Sequence, residues 1–235
     1  MQFRLLGPVQ AVHNGQIVNL GGIKQRAALG FLLLQPNRVV ATSQLLKALW
    51  TGEDAPTSAR KILQNAIWGL RGVLNLEPGA HAGHDVTLLT QTPGYMLRVD
   101  PDQIDAQRFQ HQVERGRALM VQDRAEEASR VLREALDLWR GPMVADLAEA
   151  GIIWSEVLAV QNLRLVALEE YFEAELLCGR HHAVLGELET LAEAEPLRER
   201  ISGQLMLALY RCGRQADALN VFARVRTALV QSLGL

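Results

Sequence analysis

The chain has 235 residues, and at roughly 100 to 200 residues per domain that length suggests two domains. Its 49% hydrophobic and 21% charged composition is that of an ordinary folded protein and excludes general disorder. The net charge of -2 hides two opposite signs: nine Lys and Arg stand against four Asp and Glu through Arg98, and fifteen against twenty-two beyond it. A basic module followed by an acidic one suits a nucleic-acid binder joined to a protein-binding domain. No apolar run reaches the roughly 18 residues of a membrane span. The start MQFRLLGPVQ has no basic segment followed by an apolar signal core, so no membrane association and a cytoplasmic location are expected.

The first twenty residues predict three short strands, FRLL, VQAV and IVNL, with Asn14-Gly15 marking a hairpin between the last two. KQRAALGFLLLQ follows with an apolar face at helical spacing and stops before Pro36-Asn37. VVATSQLLKALW predicts a brief strand and then a helix capped by Thr42 or Ser43, whose side-chain oxygen can accept a free backbone N–H. After the loop TGEDAP, Pro56 is placed to open a further helix from Thr57 to about Asn75, giving a helix-turn-helix pattern.

At about 100° per residue, Ala59, Ile62, Leu63, Ala66, Ile67, Leu70, Val73 and Leu74 share one arc of that second helix, which we assign to the core. The opposite side carries Thr57, Lys61, Gln64, Asn65 and Trp68, with Arg60 and Arg71 along one margin. Amides and guanidinium groups pair with base edges in a major groove, and Lys neutralises phosphate. Helical periodicity alone favours the simpler reading of a solvated face. Trp68 argues for a contact surface, because a large aromatic is left outside the core. VTLLTQTPGYMLRV then predicts two strands turned at Thr92-Pro93-Gly94, where a winged helix carries its wing.

Beyond Asp105 the pattern is almost wholly helical. RAEEASRVLREAL from Arg124, RHHAVLGELETLA from Arg180 and RQADALNVFARVR from Arg214 share one shape, and the last two begin 34 residues apart, the tetratricopeptide period. An insertion containing LWRGPMVADLAEAGIIW separates the first from the second. Cys178 and Cys212 lack a CxxC or a His partner at metal-ligand spacing and are expected to be buried free thiols. His81 and His84 are three apart in a polar loop without a Cys or carboxylate cluster, so neither a metal nor a cofactor is expected. Nor does the sequence offer a catalytic triad, a carboxylate pair or a phosphate loop, so an enzyme is not expected.

The fragments FRLLGPV, LGGIKQRAALGFLLL, LLKALWTGEDAPTSARKILQNAIWGLR and LLTQTPGYML, followed by ALDLWRGP, Trp154, LRLVALEE, PLRERISGQLMLALYRCGRQADAL and VRTALVQSLG, stand in one order. In that order the chain resembles the Streptomyces antibiotic regulatory protein family nearly end to end. The resemblance implies an OmpR-like α+β winged helix-turn-helix domain over residues 1–99 and an all-α, tetratricopeptide-like bacterial transcriptional activation domain over 105–235. It further implies an activator of secondary-metabolite genes that binds direct repeats in double-stranded DNA near a promoter −35 element as tandem copies. Such an activator recruits RNA polymerase holoenzyme through its sigma factor and is nucleoid-associated when bound.

Carried onto matching positions, the resemblance makes Thr57, Lys61, Gln64, Trp68 and Arg71 the DNA-facing set, to which the periodicity adds Arg60 and Asn65. The turn at Gln91 and Thr92 becomes the wing. Two positions depart from the family pattern: Gln91, where relatives often carry a basic residue, and Glu195 before Pro196, where His is common. For polymerase the expected contacts are Glu53 and Asp54 of the exposed loop, with Lys24 and Arg26 at the front of the first helix. The competing functions are a protein-binding adaptor of helical repeats, which the second half alone would support, and a DNA-binding repressor.

Overall fold

The computed structural model describes residues 1–50, 55–74 and 86–234. By packing, the chain divides into two units, one of Met1–His111 with Asp137–Leu163 and one of Gln112–Leu136 with Arg164–Leu235. No single cut point separates them, whereas the sequence pattern placed one between residues 99 and 105. The stretch read as an insertion in the helical array belongs to the first unit.

The first unit opens with a three-stranded antiparallel sheet, β1 (Gln2–Arg4), β2 (Gln10–His13) and β3 (Gln16–Val18), in that order. Asn14 and Gly15 both have positive φ, 52° and 79°, the two-residue turn whose twist matches paired strands, and His13 faces Gln16 across it. Helix α1 (Ile23–Leu34) packs on α2 (Thr42–Leu49) and α3 (Ala59–Val73). A second antiparallel sheet has the order β4 (Val40–Ala41), β6 (Gly94–Arg98), β5 (Thr87–Gln91). Gly94 is required where β6 crosses β4, because a Cβ there would stand 1.9 Å from the Val40 carbonyl oxygen.

The expected cap of α2 is not made by Thr42 or Ser43. Ala41 is the capping residue, and its N–H is satisfied from within the helix by Gln44 Oε1 at 3.0 Å. Thr42 is drawn instead to the β5–β6 turn, where its N–H and Oγ1 both donate to the Pro93 carbonyl. The other end of α2 has two of its last carbonyls covered by side chains. Trp154 Nε1 donates to Ala48 O at 2.9 Å, and Lys24 Nζ donates to Leu49 O.

Trp154 is 3% exposed, meets Phe31 edge-on at 5.4 Å, and lies over Gly30, where a Cβ would come within 3.2 Å of its ring. The same insertion closes on the start of the chain. Arg140 N donates to Leu6 O and Val144 N to Leu5 O, while Val9 N donates to Asp146 Oδ1 at 2.9 Å. Asp105 accepts from Leu5 N at 2.7 Å and Leu6 N at 3.1 Å, and Arg140 lies 3.6 Å from its carboxylate. Burial pushes the Asp105 carboxyl above its ordinary value despite these partners. The fragments FRLLGPV and LWRGP, far apart in sequence, are thus hydrogen-bonded neighbours.

The second unit contains the later turns of α4 (Asp105–Val121), then α5 (Ala125–Leu136), most of α7 (Ser155–Leu177), α8 (His181–Ala194), α9 (Glu199–Arg211) and α10 (Gln215–Leu233); the short α6 (Ala145–Glu149) lies in the first unit. Three junctions, α4–α5, α7–α8 and α9–α10, share one geometry. A residue of positive φ (Asp123, Gly179, Gly213) ends the helix, and the following Arg N–H reaches back five residues, to Leu119, Glu175 and Leu209. In each case that N–H belongs to the Arg that opens one of the three similar segments. Leu119, Ala128, Val131 and Ala174 form a buried cluster, and α9 packs on both α8 and α10.

Ion pairs in this unit join motifs recognised separately in the sequence. Glu169 of LRLVALEE is 7% exposed and meets Arg198 and Arg200 of PLRER at 3.1 and 3.7 Å, while Gln204 Nε2 donates to its backbone oxygen. Its neighbour Glu170 pairs with Arg117 at 2.7 Å. Among the described residues, no helix is long and apolar enough to cross a membrane.

Candidate nucleic-acid interface

Helix α3 starts at Ala59, two residues later than the sequence suggested. Pro56, Thr57 and Ser58 form the turn before it, closed by Ala59 N donating to Pro56 O at 2.8 Å. Its inward face buries Ala59, Leu63, Ala66, Ile67 and Leu70, with Leu74 just past its end. Two residues of the expected arc are less buried: Ile62 is half-buried and Val73 is 38% exposed. Both sit on the same margin of the arc, roughly 70 to 90° from the centre of its buried residues, where a helix leaves its neighbours.

The outward face carries Arg60, Lys61, Gln64, Asn65 and Trp68, all exposed, with exposed Thr57 in the turn before them. Trp68 is 77% exposed. Two cations, two amides, a hydroxyl and an indole thus face outward, and among the described residues none of these side chains has a hydrogen bond or ion pair to another. The helix contains no acidic residue in its first turn, so nothing there opposes the attraction of its amino-terminal end for an anion.

Arg71 differs from this set. Its Nε and Nη2 donate to Leu88 O at 3.1 and 3.0 Å, and Nη2 also donates to Thr90 Oγ1 at 2.8 Å. β5 is an edge strand, and Arg71 covers polar groups that its open side would leave unpaired. The guanidinium therefore fixes the β5–β6 hairpin to α3 and is not an outward cation like Lys61. Gln91 and Thr92 lie exposed at the tip of that hairpin, which Thr42 anchors from α2. Sequence periodicity placed Arg71 on the margin of the helix but could not reveal the strand it meets.

The residues expected to meet polymerase are placed less favourably. Lys24 is half-buried, donates to Leu49 O and lies 4.5 Å above the Trp50 ring. Arg26 is half-buried and pairs with Asp146 at 3.0 Å. Both cations are committed to internal partners. Glu53 and Asp54 lie outside the described residues, as do His81 and His84.

Residues 104–235 match the bacterial transcriptional activator domain. Over its whole length the chain is 37% identical to the regulatory protein DnrI of Streptomyces peucetius, covering 87% of that protein. The chain belongs to the Streptomyces antibiotic regulatory protein family. It is 37% identical over 235 residues to the transcriptional regulatory protein EmbR of Mycobacterium tuberculosis and spans 60% of it, and it spans only 23% of the regulatory protein AfsR of Streptomyces coelicolor, at 35% identity. The solved structure of Mycobacterium tuberculosis EmbR in complex with a low affinity phosphopeptide superimposes on all of this chain with a TM-score of 0.88, and the chain covers 61% of that one. As a member of this family of transcriptional activators, the chain is a regulator and not an enzyme.

Proposed function

We propose that this regulator binds promoter DNA through the outward face of α3. In this reading the first unit is an OmpR-like winged helix, with α2 and α3 as the helix-turn-helix and β5–β6 as the wing. The second unit is a tetratricopeptide-like platform for protein contacts. The observation that supports this is the outward polar face of α3, where Lys61, Gln64, Asn65 and the 77% exposed Trp68 stand, without a partner among the described residues, opposite a side that buries Leu63, Ala66, Ile67 and Leu70.

Lys61 and Arg60 hold phosphates, Gln64 with Thr57 or Asn65 reads base edges, and Trp68 packs on sugar or a thymine methyl group. Arg71 positions the wing instead of contacting DNA directly. With Gln91 in place of a cation, the wing adds little electrostatic attraction of its own. Tandem copies on direct repeats then recruit RNA polymerase holoenzyme through its sigma factor, on the nucleoid in the cytoplasm.

Recovery and footprinting of the DNA bound by the protein tests this reading, with protection of a direct repeat upstream of the polymerase site as the expected result. Protection over the polymerase site itself would indicate a repressor, and recovery of no specific DNA would leave a protein-binding adaptor. On the footprinted site, Lys61→Ala is expected to weaken binding similarly for all sequences and to reduce the salt slope by about one, measured by titration at several ionic strengths.

A further inference from the structure

Cys212 has a histidine partner that its sequence spacing hides. It follows the last residue of α9, and α9 packs on α8, whose first two residues are His181 and His182. Cys212 Sγ lies 3.3 Å from His182 Nδ1, and the two imidazole rings are 5.0 Å apart. One ligand atom each from His181, His182 and Cys212 lie within 4.8 Å of one another. Contrary to the sequence expectation, the thiol is only half-buried and reaches the surface beside the exposed His182.

We propose that His181, His182 and Cys212 form a zinc site. Zinc takes imidazole nitrogen at about 2.0 to 2.1 Å and thiolate at about 2.3 Å in a tetrahedron, which sets neighbouring ligand atoms roughly 3.3 to 3.6 Å apart. The Cys212–His182 separation of 3.3 Å is already within about 0.3 Å of the sulfur–nitrogen edge. His181 Nδ1 is shielded from solvent without a hydrogen-bond partner, an unsatisfied nitrogen that a cation would satisfy.

The two flanking guanidinium groups do not repel the ion strongly, since each has two carboxylate partners. Arg180 pairs with Glu126 and Glu175, and Arg214 with Asp217 and Glu189. Arg211, next to Cys212, is bound to the Leu176 carbonyl. On binding, the Cys212 thiol releases its proton to solvent as the S–Zn bond forms, with no change of oxidation state, and water completes the fourth position. The ion joins the start of α8 to the end of α9. This site is independent of the α3 face, and its test does not involve DNA.

The test is a titration of the metal-free, full 235-residue chain with Co²⁺ followed by Zn²⁺. One equivalent of cobalt is expected to produce a thiolate-to-cobalt charge-transfer band and intense tetrahedral ligand-field bands, all removed by Zn²⁺. Cys212→Ser abolishes the charge-transfer band, Cys178→Ser leaves it intact, and His182→Ala weakens binding about tenfold or more. Because the His182 side chain is exposed, that variant reports on ligation without demand on the core, and circular dichroism checks the fold of each. A chain with no thiolate band, or a band that persists without Cys212 or disappears with Cys178, overturns the proposal.

Discussion

Replacing Trp154 by Ala is expected to lower the unfolding free energy of the first unit by about 3 to 5 kcal/mol, the range for deleting a buried large aromatic. Three losses combine at this position: the edge-on contact with Phe31, the packing over Gly30, and the hydrogen bond to Ala48 O at the end of α2. Trp154→Phe separates them. It keeps most of the apolar contact and loses the indole N–H, so its cost should fall to roughly 1 to 3 kcal/mol, that of leaving one carbonyl without its donor. Denaturant unfolding followed by circular dichroism measures both. An Ala variant as stable as the parent would mean that the insertion does not support α1 and α2 as described. Since α1 and α2 pack on α3, the Ala variant should lose DNA affinity along with stability.

The second large effect lies in the helical unit. Glu175 is 5% exposed, and Arg180 closes on it through Nε at 2.9 Å and Nη2 at 2.6 Å, while Ser129 also hydrogen-bonds the carboxylate. Arg180→Ala strands a buried carboxylate, so the expected cost is about 3 kcal/mol. We take the lower end of the range for broken buried pairs because Arg180 is itself 35% exposed. Adding Glu175→Gln to Arg180→Ala should recover part of the loss by removing the uncompensated charge.

The same pair sets an acid limit. The Arg180 hydrogen bonds hold the Glu175 carboxyl below the ordinary glutamate value of 4.5, outweighing the opposite effect of burial. A carboxyl whose folded-state pKa lies below its unfolded value contributes stability above the unfolded value and loses it as pH falls through the folded one. Part of the helical unit's stability should therefore disappear below about pH 4.5, and Arg180→Ala should flatten that dependence in thermal melts across pH.

Much of this architecture can be read locally. Asn14-Gly15 specifies a hairpin by its φ preferences alone, the apolar arc of α3 specifies which side is buried, and the Gly-Arg junctions at 179–180 and 213–214 mark helix ends. What the sequence concealed depends on partners distant in the chain. Thr42 looks like a cap until Pro93 arrives beside it, and Lys24 and Arg26 look like free cations until Leu49 O and Asp146 meet them.

Arg71 likewise shares the margin of α3 with Arg60, but only Arg71 is level with the open edge of β5. The insertion read as a break in a repeat array is structural material of the first unit. Its Trp154 was the available signal, since a loop exposed to water has little use for a buried indole. His182 and Cys212, thirty positions apart, meet because α8 packs on α9, and no spacing rule anticipates that.

In the proposed complex Gln64, on the outward face of α3, reads a base. The most direct test compares parent and Gln64→Ala on the footprinted operator and on variants of it changed one base pair at a time. The expected result is a loss of roughly 1 to 3 kcal/mol confined mainly to one position, where the variant no longer discriminates among bases. An unchanged preference at every position would contradict the assignment of Gln64 as a base-reading residue.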